Sequence, residues 1–151
     1  MTDPEIMARA LELAEMSAEE GEVPVGAVVV LEGEIVGEGR NRRETAKNAL
    51  AHAEIEAIDM ACRKLGGWRL HRCELFVTLE PCPMCMGAII NARIKRLVFG
   101  AKDMKNGACG SVVDLAQAGF THTMPVESGF MESECSVILT EFFRQLSKSR
   151  K

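Results

Sequence analysis

Leu75-Phe76-Val77-Thr78-Leu79-Glu80-Pro81-Cys82-Pro83-Met84-Cys85 joins an apolar run to a proline-flanked pair of cysteines. Residues 75–79 are apolar and rich in strand formers, as in a buried strand. Pro81 biases Glu80 toward an extended backbone, so the chain turns sharply from strand to helix. Residues 83–92 read as a short helix and residues 96–100 as another strand. Strand, helix and strand in that order predict a parallel pair joined by a right-handed crossover.

Upstream, residues 53–65 have helical character, and Gly66-Gly67 ends that helix. Residues 40–50 are polar and read as a loop. Before it, residues 25–31 and 34–39 flank the turn Glu32-Gly33 and read as a hairpin. The chain opens with a helix. Thr2 or Asp3 caps it, Pro4 starts it, and Ile6, Met7, Ala10, Leu11, Leu13 and Ala14 form its apolar stripe until Gly21 stops it. Downstream come a loop rich in Gly and Lys over 102–111, a short helix near 114–118 and a strand around 122–127. A closing helix over 132–147 carries Val137, Ile138, Phe142 and Leu146. A hairpin followed by alternating helices and strands predicts an α/β fold, a mixed sheet with helices on both faces.

The 151 residues suit one domain spanning 1–151, with no internal repeat or low-complexity linker. No stretch approaches the length of a membrane span. Met1-Thr2-Asp3-Pro4 lacks the basic and apolar character of a signal segment, so the cytoplasm is the expected compartment. Of the six cysteines, two sit in Cys-x-x-Cys, and Cys62, Cys73, Cys109 and Cys135 show no framework spacing. In a reducing cytosol they read as core or metal thiols. The net charge of −4 argues against a general nucleic-acid binder, but it is uneven. Residues 1–50 hold 5 Lys and Arg against 11 Asp and Glu, while residues 51–151 hold 13 against 11. A phosphate-bearing partner would meet the C-terminal portion and the run Arg40-Asn41-Arg42-Arg43.

The chemistry lies in His52-Ala53-Glu54 and Pro81-Cys82-Pro83-Met84-Cys85. Cys82 and Cys85, three apart at a helix start, can present both sulfurs on one side. The positive helix end favours thiolates, the form that binds metal. His52 and Glu54 would diverge inside a regular helix. They converge only if a helix begins there with its end toward the metal. Two helix N-termini must therefore face one zinc ion. Three protein ligands, His52, Cys82 and Cys85, leave the fourth tetrahedral position open, as in catalytic zinc sites. Two other readings stand beside this one. Cys82 and Cys85 can be a redox pair, or the zinc can be structural with a fourth ligand from His71, His122, Cys73 or Cys109.

Over residues 23–111 the chain closely resembles the bacterial tRNA adenosine deaminases. The resemblance rests on Val23-Pro24-Val25-Gly26-Ala27, Gly39-Arg40-Asn41-Arg42, Ala51-His52-Ala53-Glu54-Ile55 and Thr78-Leu79-Glu80-Pro81-Cys82-Pro83-Met84-Cys85. It continues through Arg96 to Gly100, Ala101-Lys102-Asp103 and Gly107, and Glu141-Phe142-Phe143-Arg144 resembles the family's last helix. The pairing of His-x-Glu with Pro-Cys-x-x-Cys is the mark of zinc nucleobase deaminases. The resemblance implies a cytidine-deaminase-like three-layer α/β/α fold with a central mixed five-stranded sheet. It also implies a homodimer with one zinc per subunit, and conversion of the wobble adenosine, position 34, of an arginine tRNA anticodon to inosine. Glu54 is then the catalytic proton carrier, working on the water that zinc acidifies.

The same resemblance implies that Asn41 contacts the flipped nucleoside, with Pro24 and Val25 forming its pocket. It implies that Asp103 holds a neighbouring sugar, and that Phe142, Phe143, Arg144 and the basic tail engage the anticodon loop. Plainer uses exist for these residues: Phe142 or Phe143 as core, Asn41 and Asp103 as turn formers. Lys95, Arg96, Lys102, Lys105 and Arg144 are candidates for phosphate contacts around a splayed single-stranded loop. In one place the chain departs from the family, with Asn48-Ala49-Leu50 where Asp-Pro-Thr is common. Two rivals remain, a deaminase of free bases or nucleosides such as cytosine, guanine or cytidine, and a non-catalytic zinc-stabilised RNA-binding subunit.

Overall fold

The computed structural model describes residues 1–149. Five strands form one sheet in the order β2-β1-β3-β4-β5: β1 (Gly26–Leu31), β2 (Glu34–Arg40), β3 (Cys73–Leu79), β4 (Arg96–Ala101) and β5 (Val126–Glu127). β1 runs antiparallel to β2 and β3, whereas β3 with β4, and β4 with β5, are parallel. The sheet is therefore mixed, as its sequence predicts. The expected strand over 122–127 shortens to two residues, because only Val126 and Glu127 pair with Leu97 and Val98 of β4. His122 instead places Nε2 2.7 Å from the Ile94 carbonyl, bracing the loop before β4.

Four helices cover the two faces: α1 (Asp3–Glu19), α2 (Ala53–Leu65), α3 (Pro83–Asn91) and α4 (Glu132–Ser149). Successive strand residues point to opposite faces, and the two cores divide accordingly. Val28, Val30, Phe76 and Val98 pack with Ile6, Met7, Ala10 and Leu13 of α1 and Cys135 of α4. Ala27, Val29, Leu75, Val77, Leu97 and Phe99 pack with Ala53, Ala57 and Ala61 of α2 and Met86 and Ile89 of α3. This is a three-layer α/β/α sandwich. Among the described residues no helix is long and apolar enough to cross a membrane.

Local signals explain the element ends. Thr2 caps α1 in a reciprocal capping box with Glu5. Gly66, at φ 74°, closes α2 in the left-handed conformation. The short helix expected near 114–118 is a 3-10 turn over Leu115–Gln117, its start fastened by the Asp114 carboxylate accepting the Ala116 N–H. In α4, Val137 does not belong to the apolar stripe. It is 64 % exposed, and Cys135 and Leu139 make the packing face instead.

Close approach fixes α2 on the hairpin. A Cβ on Gly39 would lie 2.1 Å from the Ala53 carbonyl oxygen, and one on Gly37 would lie 2.2 Å from that of Ala57. Only glycine lets the helix backbone sit so near β2, and that approach sets the height of the first residues of α2 above the sheet.

Candidate active site

β2, β3 and β4 all end at the same edge of the sheet, where β1 begins. The chain leaving these ends builds one cleft of about 650 Å³, the size of a small-molecule site. Its wall takes Val23 and Val25 before β1, Asn41 and Arg43 after β2, Leu79 at the end of β3, and Glu80 and Cys82 just after it. Residues 102–106 after β4, and Leu139 and Phe143 of α4, complete it. Ligand sites at the carboxyl ends of strands are the rule in open α/β sheets.

Two helices begin at the floor of the cleft, as the motif spacing requires. His52 is the N-cap residue of α2 and Cys82 that of α3, both with extended backbone. One donor atom from each of His52, Cys82 and Cys85 lies within 4.8 Å of the others. His52 Nδ1 is 3.7 Å from Cys82 Sγ and 3.5 Å from Cys85 Sγ. A tetrahedral zinc with ordinary bond lengths separates such nitrogen and sulfur ligands by about 3.6 Å. The donor set and its spacing thus fit zinc. The Cys82 thiol is pulled down to about 4, chiefly because Cys85 hydrogen-bonds to it, with His52 adding to the effect against burial. Cys85 is pushed up by that same contact and by burial. His52 is raised by its contact with Cys82.

No fourth protein ligand joins this group among the described residues. His71 is exposed, Cys73 is buried in β3, His122 is turned to Ile94, and Cys109 directs its thiol to Met86 Sδ at 3.2 Å. The closed structural site considered for the sequence is not built. All six cysteines are free, which agrees with their reading as core or metal thiols.

Glu54 lies two residues into α2, 4 % exposed and next to the ligand group without belonging to it. Burial raises its carboxyl to about 7, and the negative Cys82 adds to this, while its own N–H, His52 and Cys85 pull the other way. A carboxyl poised there can take and return a proton near neutral pH.

The structure separates the other sequence candidates. Asn41 is 9 % exposed and lines the cleft, held by Nδ2 donating to the Val23 carbonyl and Oδ1 accepting the Arg43 N–H. Its amide keeps one further N–H and one further lone pair. Val25 lines the cleft, whereas at the Pro24 position the wall is made by the flanking Val23 and Val25. Asp103 lines it too, and its Oδ1 also accepts the N–H groups of Lys105 and Asn106. Phe143 faces the cleft at 48 % exposure, edge-on to Phe142. Arg144 sits one residue beyond the wall and pairs with Glu141 at 3.4 Å. The last two residues of the basic tail, Arg150 and Lys151, lie outside the described residues.

The basic residues also sort themselves. Arg40 and Arg42 are paired with Glu20 and Glu56, which leaves Arg43 as the arginine of its run that lines the cleft. Lys102 and Lys105 join it there. Arg96, offered by the sequence for a phosphate, lies away from the cleft. It starts β4, at the opposite end of that strand, and is bound to Asp3, Glu74 and Glu127. Asn48-Ala49-Leu50, the departure from the family pattern, stays out of the wall, and Asn48 Oδ1 simply accepts the Leu50 N–H. Sequence reasoning passed over Met104 and Leu139 in the wall, and two buried carboxylates, Glu22 behind the wall and Glu80 within it. Glu22, 2 % exposed, accepts the N–H groups of Glu44 and Thr45 and so holds the loop that carries Arg43. Glu80 does the same for residues 102–111. The one signal for either was an acidic residue beside an otherwise apolar strand.

The sequence profile of the MafB19-like deaminase family matches residues 1–147. The chain is 48 % identical over 153 aligned positions to a tRNA-specific adenosine deaminase of Bacillus subtilis, covering 100 % of this chain and 95 % of that one. It is 44 % identical to the enzyme of that name from Haemophilus influenzae, covering 99 % and 87 %. A solved structure from a study of A-to-I editing by tRNA:A34 deaminases superposes with a TM-score of 0.86 at 46 % identity, covering 90 % of this chain and 99 % of that one. A guanine deaminase from Nitrosomonas europaea superposes with a TM-score of 0.82 at 25 % identity, covering 93 % and 84 %.

Proposed function

Because this chain belongs to the family of tRNA-specific adenosine deaminases and shares the fold of a solved tRNA:A34 deaminase, we propose that it converts adenosine to inosine at wobble position 34 of a tRNA anticodon, that of arginine tRNA. The observation that carries this reading is the Glu54 carboxyl, buried beside three metal donors that leave one coordination position free.

His52 Nδ1 and the sulfurs of Cys82 and Cys85 are the residues that hold zinc, one ion per subunit. When bound, zinc supplies the Lewis acidity that makes water nucleophilic at neutral pH. Glu54 takes the proton from the attacking water as it adds to C6 of the adenine ring. Its carboxyl hands that proton to the ring nitrogen N1, then takes the second from the new C6 hydroxyl and passes it to the amine as the C6–N6 bond breaks, so that one water is consumed and one ammonia released. The low exposure of Glu54 keeps these transfers away from bulk solvent. Asn41 orients the flipped base with its remaining amide groups, and Val25 with Pro24 behind it forms the apolar side of the pocket. The mouth favours RNA over a free base. Arg43, Lys102 and Lys105 surround it, and none of the three is in an ion pair among the described residues. They meet the phosphates, Asp103 a neighbouring sugar, and Phe143, Phe142 and Arg144 the flanking nucleotides. The protein acts as a cytoplasmic homodimer in this reading, and Met60, Leu65 and Trp68, on and just after α2, are exposed apolar side chains open to such a contact.

The test compares an anticodon stem-loop carrying adenosine at position 34 with free adenosine, cytidine, cytosine and guanine. Inosine in the stem-loop with little turnover of the free compounds is the expected result. Fast turnover of a free base and none of the RNA would make this a nucleobase deaminase. No turnover of anything by the zinc-loaded protein would leave a binding subunit.

A further inference from the structure

Glu80 sits at the end of β3, two residues before the ligand Cys82, and is 2 % exposed. Its carboxylate is in no salt bridge among the described residues, and one segment saturates it. Oε1 accepts the Asp103 N–H at 3.0 Å and the Ser111 hydroxyl. Oε2 accepts the Cys109 N–H at 2.9 Å and the Ser111 N–H at 3.1 Å. All four partners are donors, so the site calls for a group that is an acceptor on both sides. Gly107 seals the arrangement: a Cβ there would lie 2.3 Å from Glu80 Cδ. The segment clamped in this way presents Lys102, Asp103, Met104 and Lys105 to the cleft.

We propose that Glu80 is a positioning residue, acting through residues 102–111 to hold the surface that grips the RNA around the reacting nucleotide. The inference rests on the RNA-deaminase reading above. The geometry gives it content beyond stability. The Asp103 N–H is bound directly to Glu80, so the side chain expected to meet a sugar leaves from a fixed backbone position. Lys102 and Lys105, to either side, are aimed by the same anchor.

Two variants test it from opposite sides. Glu80→Gln places an NH2 against N–H donors and loosens the segment. Gly107→Ala pushes the segment off an intact Glu80, and because the Ala108 N–H donates to the Pro81 carbonyl at 2.8 Å, zinc content reads whether the push reaches Cys82. Zinc content, kcat, KM for the stem-loop, and the slope of log KM against log salt are measured for both. The expected result is retained zinc, with KM raised about 10-fold or more and kcat lowered by less than that factor. The salt dependence should also weaken by about 0.7 for each lysine that no longer meets a phosphate. A merely structural role lowers stability without moving the salt slope. Unchanged KM and salt slope in a folded, zinc-loaded Gly107→Ala protein overturn the proposal. So does loss of zinc in both variants, which would assign Glu80 to holding Cys82. Absence of inosine from the wild-type reaction would instead sink the RNA-deaminase reading, and this inference with it.

Discussion

Replacing Gly39 by alanine should damage catalysis from a strand that touches no substrate. The added Cβ would stand 2.1 Å from the Ala53 carbonyl oxygen and 2.7 Å from the Ala57 nitrogen. Ordinary carbon–oxygen contacts begin near 3.3 Å, so the first turn of α2 must retreat by about 1.2 Å. His52 and Glu54 flank Ala53 and retreat with it. The His52 Nδ1 distances of 3.5 and 3.7 Å to the two sulfurs then spread beyond what a zinc ion spans. A misplacement of about 1 Å costs roughly 100-fold in rate, and the overpacking costs about 1–3 kcal/mol of stability. For a chain of this size each kcal/mol lowers Tm by about 2–4 °C. Gly37→Ala is the matched control, since its Cβ meets the Ala57 carbonyl oxygen at 2.2 Å, a turn further from the ligands. Both variants should lose similar Tm, but Gly39→Ala should lose at least about 10 times more in zinc affinity and kcat/KM. Calorimetry, chelator competition and ammonia release measure these quantities. Equal activity losses in the two variants would refute the claim that glycines on β2 set the height of the active-site helix.

The Glu22 carboxyl is pushed up by burial but pulled down further by the Thr45 and Glu44 N–H groups, for a net lowering. A depressed carboxyl stabilises the fold above its unfolded pKa of about 4.3 and loses that contribution as pH falls through the folded value. Urea unfolding should therefore show Glu22→Gln less stable than wild type at pH 7, with the gap closing below about pH 4, and a constant gap would contradict this. Phe143→Ala removes a half-exposed ring at the cleft mouth. It should leave Tm within about 2 °C and raise KM for the stem-loop by roughly 10-fold, the value of one base stacked on an aromatic ring. Gly87 on α3 has open space around it. Its change to alanine should add about 0.4–1 kcal/mol of helix stability in a denaturant titration.

The parts of the fold that depend on near neighbours were legible in the sequence. Pro81 and the Cys82-to-Cys85 spacing located the strand-to-helix turn, and Gly66 located the end of α2. The demand that a helix begin at His52 followed from the two-residue spacing to Glu54, and His52 is indeed the N-cap. What escaped depends on partners far along the chain. Glu22 and Glu80 look like surface acids until loops 22 to 31 residues away supply their hydrogen bonds. Arg96 looks like a phosphate ligand until Asp3, from the other end of the chain, claims it. Val137 fits a helical stripe, yet its rotation is set by how Cys135 seats over Gly100, where a Cβ would lie 2.3 Å from the sulfur.

Glu54→Gln, assayed at once for zinc by elemental analysis and for ammonia released from the adenosine stem-loop, puts the most weight on the division of labour at the site. A metal held by His52, Cys82 and Cys85 alone should remain at about one ion per chain, while turnover drops by about 10²–10⁴-fold for want of a proton carrier. Zinc lost together with the carboxylate would make Glu54 a ligand, and turnover kept at the wild-type rate would leave it without a chemical role.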